Sequence, residues 1–176
     1  MHPHRGIALV DVVLALALVG VLAGLGVPAL YTLVLESRMT TAVNGLVHAV
    51  HAARTLARSS DTDAVVCRST GAAQCMGAGD WAAGWIVFVN TDGDDPPRVD
   101  AGERVVAWQD RATNLTATSN RTAYVLRPWS LRATNGSVIF CDARGATAAR
   151  AVIVSTTGRP RVARRTGAGK PLTCPP

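Results

Sequence analysis

From Ile7 to Leu35 the chain is apolar at nearly every position, and Asp11 is the one charged residue in the run. A hydrophobic stretch of that length reads as a membrane-crossing helix. Farther on, apolar side chains recur at Val43, Leu46, Val50, Ala53 and Ala57, in steps of three and four. That spacing lays one stripe along a helix, while Glu36, Arg38, Asn44, His48, His51 and Arg58 take the remaining surface. One helix is therefore predicted over residues 7–59, kinked near Pro28, with residues 7–35 in lipid and the rest packed on a folded domain. At 1.5 Å per residue, roughly 50 residues make a spine about 75 Å long.

After Ser59 the period changes. Short runs rich in β-formers alternate with turn residues: 64–68, 85–89, 104–108, 115–118, 122–126, 137–141, 151–155 and 160–163. Ser69 to Asp80 is a Gly-rich loop, Asn90 to Gly102 a polar one, and Asp142 to Arg150 an Ala/Arg-rich connection. Many short strands at close spacing predict a mostly antiparallel β domain over residues 60–176. The fold class is α+β, a long N-terminal helix packed on an antiparallel sheet domain. Beyond the apolar span roughly 140 residues remain, enough for one core.

Charge alters this picture through its arrangement. The net charge is +6 over 176 residues, yet Arg159, Arg161, Arg164, Arg165 and Lys170 follow Gly158 with no acid among them. Acidic residues gather instead between Asp92 and Asp110, so the domain is dipolar with a basic end near its C-terminus. The four cysteines, Cys67, Cys75, Cys141 and Cys174, all lie beyond the span, on the side that a basic leader (His2, His4, Arg5) places outside. An even number in an exported domain predicts disulfides, and of three connectivities the spacing favours Cys67–Cys75 and Cys141–Cys174. Zinc is the rival, but there is no C-x-x-C pair and no histidine after His51.

The junction Gly6-Ile7-Ala8-Leu9-Val10-Asp11 resembles the class III signal peptide of the type IV pilin superfamily. The resemblance implies a leader of residues 1–6, cut between Gly6 and Ile7 by a prepilin peptidase that methylates the new amine. It further implies that Asp11 pairs with the amine of a neighbouring pilin subunit, and that Pro28 is the family's helix-kinking proline. The usual motif has glutamate where this chain has Asp11, which is shorter by one methylene. Two later segments narrow the resemblance to FimT/GspH minor pilins: Asp80-Trp81-Ala82-Ala83-Gly84-Trp85-Ile86-Val87-Phe88, and Ala151 to Ser155 before Gly158-Arg159-Pro160-Arg161. A bacterial inner-membrane protein with a periplasmic domain follows, joining a pilus or pseudopilus with other pilins and minor pilins.

In an extended segment, side chains two apart share a face, so Arg159, Arg161 and Arg165 would project together and Arg164 oppositely. Pro160 removes a backbone donor and keeps the segment at an edge. Guanidinium groups without a nearby acid suit phosphate, because each forks onto its oxygens. In FimT-type minor pilins the Gly-Arg-x-Arg segment is associated with DNA binding during natural transformation. The resemblance thus implies non-specific DNA contact through Arg159, Arg161, Arg164, Arg165 and Lys170. The alternatives are a GspH-like pseudopilin of type II secretion and a minor pilin that primes assembly without DNA. A solvated basic edge that blocks strand aggregation is the plainest reading of the same residues.

Other motifs carry less. Asn90-Thr91-Asp92-Gly93-Asp94-Asp95 has oxygens at alternate positions, but its glycine is misplaced for a calcium loop and Pro96-Pro97 interrupts it, so a polar turn is predicted. His48 and His51 share a helix face without a third ligand. Trp81, Trp85, Trp108 and Trp129 are expected in core or domain-edge packing rather than base stacking. No nucleophile elbow, P-loop or paired acids in a cleft points to an enzyme, and no cofactor or metal is expected.

Overall fold

The computed structural model describes residues 9–71, 73–129 and 132–175; the predicted leader with Gly6 and Ile7 lies outside them. The long helix is α1 (Leu9–Ser60), and Pro28 lies within it without ending it. Two compact units divide inside α1, between Ser37 and Arg38. In the first, nearly every side chain from Leu9 to Val34 is exposed, Asp11 among them. An 18-residue window there has a mean hydropathy of 2.5, so the helix is long and apolar enough to cross a membrane.

In the second unit the stripe of α1 is buried at Met39, Val43, Leu46, Val50, Ala53 and Ala57. It meets two antiparallel sheets built from β1 (Asp63–Arg68), β2 (Trp85–Asn90), β3 (Val105–Gln109), β4 (Thr116–Ser119), β5 (Ala123–Leu126), β6 (Gly136–Cys141), β7 (Arg150–Val154) and β8 (Pro160–Ala163). One sheet runs β3-β2-β1-β5 and the other β4-β6-β7-β8. Period-2 alternation sorts the side chains. Ala64 and Val66 of β1, Val138 and Phe140 of β6, and Val152 and Val154 of β7 join the stripe in one core with Trp81, Trp85 and Tyr124. The Trp81 and Tyr124 rings meet edge to face at 5.5 Å.

The opposite faces are closed by loops. Val65, Cys67, Ile86 and Phe88 lie under Cys75 and Val99, and Cys141, Ala149 and Ala151 lie under Leu172 and Cys174. Each cover is cross-linked, by Cys67–Cys75 and by Cys141–Cys174. Loop-closure entropy for separations of 8 and 33 residues gives about 2.5 and about 4 kcal/mol respectively. Cys141→Ser with Cys174→Ser should therefore lower the urea midpoint further than Cys67→Ser with Cys75→Ser. The reverse order would show that the tail is not held by its bridge.

The tryptophans do not all follow expectation. Trp81 and Trp85 are buried, but Trp108 is 61% and Trp129 77% exposed. Trp108 sits on β3, the edge strand of its sheet, and Trp129 on the loop after β5, where no second layer covers them.

Candidate nucleic-acid interface

The predicted basic segment begins in the hairpin joining β7 to β8. Val154 pairs with Pro160 and Ile153 with Arg161, which leaves residues 155–159 as the loop. Its geometry is fixed locally. The Ser155 N–H donates to the Arg159 carbonyl at 3.0 Å, the Gly158 N–H to the Ser155 carbonyl at 2.8 Å, and the Arg159 N–H to Ser155 Oγ at 3.1 Å. Gly158 has φ +69°, and a Cβ there would lie 2.6 Å from Leu126 Cδ1. Glycine is favoured there, since any Cβ would have to displace that methyl, and the residue after it, Arg159, is exposed.

β8 is the edge strand of its sheet, so Pro160 fits without disrupting an interior ladder. Arg161 stands opposite Ile153, on the face away from the main core. Neither Arg159 nor Arg161 forms an ion pair among the described residues. Beyond β8 the chain turns again. The Thr166 N–H donates to the Lys170 carbonyl at 2.9 Å, and an isolated bridge pairs Arg165 with Pro171. Arg164, Arg165 and Lys170 are exposed there, but Arg165 Nη1 donates to the Gly169 carbonyl at 3.0 Å, so its guanidinium is partly engaged.

Two cations that the sequence did not single out for this site belong beside it. Arg54 and Arg58, four apart on α1, share a helix face. Burial pushes the Arg54 pKa down, and the positive charges of Arg58 and Arg159 push it the same way. Arg54 thus feels the hairpin arginine across roughly a hundred residues of sequence. The four-residue spacing of Arg54 and Arg58 was visible in the sequence, but not the hairpin it faces.

The acidic loop holds its own turn. Asn90 Oδ1 accepts the Gly93 N–H at 2.9 Å, Asp92 Oδ1 the Asp94 N–H at 3.1 Å and Asp94 Oδ1 the Arg98 N–H at 3.2 Å. Asp92, Asp94 and Asp100 bring carboxylate oxygens within 4.8 Å of one another, the one grouping with metal-compatible spacing among the described residues. Asp92 Oδ1 and Asp94 Oδ1 already serve backbone donors, as a polar turn requires. His48 and His51 are exposed on α1.

The sequence profile of the family described as "Type II transport protein GspH" matches residues 42–158. No curated protein matches the chain. Among solved structures, the type IV minor pilin FimU of Pseudomonas aeruginosa is similar in two crystal forms. One has 18% identity and a TM-score of 0.54, covering 77% of this chain and 98% of FimU. The other has 17% identity and a TM-score of 0.55, covering 78% and 96%. At such identities the likeness is one of fold, a long apolar helix packed on antiparallel sheets.

Proposed function

The chain belongs to the GspH family, and we propose that it acts within that family as a minor type IV pilin that contacts DNA. A prepilin peptidase cuts between Gly6 and Ile7 and methylates Ile7. The apolar part of α1 holds the protein in the inner membrane and then in the filament, where Asp11 meets the amine of a neighbouring pilin. The sheet domain stands in the periplasm or on the pilus, and Arg159, Arg161, Arg164, Arg165 and Lys170 meet the phosphates of incoming DNA. The protein is a filament subunit and a peptidase substrate, not an enzyme.

The observation that carries the reading is a pair of exposed arginines, Arg159 and Arg161, on a hairpin and edge strand, unpaired with any described acid. Such groups hold phosphate without reading bases, since no element of the sheet domain among the described residues stands as a recognition helix. The full chain in neutral detergent should bind duplex DNA at low salt, with little dependence on sequence. No binding under those conditions would favour the second reading, a type II secretion pseudopilin, which the description of the matched family supports.

Processing is tested separately. Mass spectrometry of filament-associated protein should find Ile7 as the first residue with one added methyl, and a bulky residue in place of Gly6 should stop maturation. An intact Met1 on assembled protein would exclude cleavage.

A further inference from the structure

We propose that Trp129, Arg54 and Arg58 complete the surface begun by Arg159, and that this surface prefers single-stranded nucleic acid, one base stacking on the indole while the arginines hold the adjoining phosphates. The inference rests on the DNA-binding reading above and specifies the form of the nucleic acid.

The placement of Trp129 is the first support. Its ring is 77% exposed, yet it is anchored, because Nε1 donates to Asp61 Oδ1 just past the end of α1. An indole held by its edge keeps its face open and loses little freedom when something stacks on it. The loop that carries it is tied to the arginine hairpin. The Ala133 N–H donates to the Thr156 carbonyl at 2.6 Å, and Gly158 leaves no room for a Cβ against Leu126 and Ala133. On its other side the loop meets the end of α1, where Asp61 lies three residues beyond Arg58. Helix end, Trp129 loop and Arg159 hairpin therefore occupy one end of the domain. The effect of Arg58 and Arg159 on Arg54 agrees with this placement. Among the described residues two acids lie at this end: Asp61, which accepts from the indole and keeps its charge, and Asp63, which is paired with Arg127 at 3.8 Å.

The combination selects by chemistry. Arginines alone bind phosphates of either form, whereas an aromatic face needs an unstacked base, which a duplex offers only at its ends. A single base on an aromatic ring strengthens binding by about 5- to 150-fold.

The test uses the full chain in neutral detergent at low salt, with dye-labelled oligothymidylate of about 16 nucleotides, an abasic strand of equal length, and a duplex. The parent should bind oligothymidylate about tenfold more tightly than the abasic strand. Trp129→Ala should lose that preference and keep its duplex affinity, while Trp129→Phe retains most of it. Arg54→Gln with Arg58→Gln should weaken all three probes alike. An equal preference in parent and Trp129→Ala, or none in the parent, would overturn the inference and leave duplex binding as proposed. Failure of the parent to bind any probe would remove both.

Discussion

Replacing Gly84 with alanine should destabilise the sheet domain by about 4 kcal/mol, enough to abolish most of its stability margin. Gly84 links the short 3-10 turn Trp81–Ala83 to β2, with Trp81 and Trp85 buried on either side. Its φ is +123°, and a Cβ there would lie 2.4 Å from the Gln109 carbonyl oxygen and 3.0 Å from that of Ser69. Both neighbours are backbone, so no side chain can swing aside; the strands themselves would have to part. Gly93 supplies the control, with φ +71° and nothing near its Cβ position. Gly93→Ala should cost only about 1–2 kcal/mol from the left-handed conformation. Urea unfolding of both variants measures the difference, and equal midpoints would show that close backbone approach does not matter at Gly84.

The second large effect is on binding. If four cations of the basic segment each neutralise a phosphate, log affinity for duplex DNA falls against log salt with a slope of about −3.6. Raising salt from about 50 to 200 mM would then weaken the parent roughly 150-fold. Arg159→Gln with Arg161→Gln should bring the slope to about −1.8, so that the same change costs only about 12-fold. Folding should be unchanged, because exposed arginines contribute little to stability. A double variant with the parent's slope would move the interface away from this hairpin.

Much of the architecture was legible because it is periodic. The three-and-four spacing from Val43 to Ala57 marked the buried stripe, and short runs of β-formers between turn residues, such as Ala64 to Cys67 and Ser137 to Cys141, marked strands. Strand ends moved by a residue or so: Arg104 and Leu115 lie just outside β3 and β4, and Asn90 and Gln109 extend β2 and β3. What could not be read was anything decided by distant packing. Four tryptophans look alike in a sequence, but Trp108 and Trp129 lie where no second layer covers them. Arg58 reads as part of the polar helix surface, and only folding brings Arg159 within electrostatic reach of its neighbour Arg54. Likewise Arg165 reads as one more free cation until the turn at Thr166 offers it a carbonyl.

The Cys141–Cys174 bridge fastens the tail after the last of the basic residues, so residues 159–170 are held at both ends. A loose tail would have to be ordered by whatever it bound; here that ordering is met in folding. If the segment contacts DNA as proposed, reducing this bridge should weaken the binding, because the ligand would then have to order the cations itself.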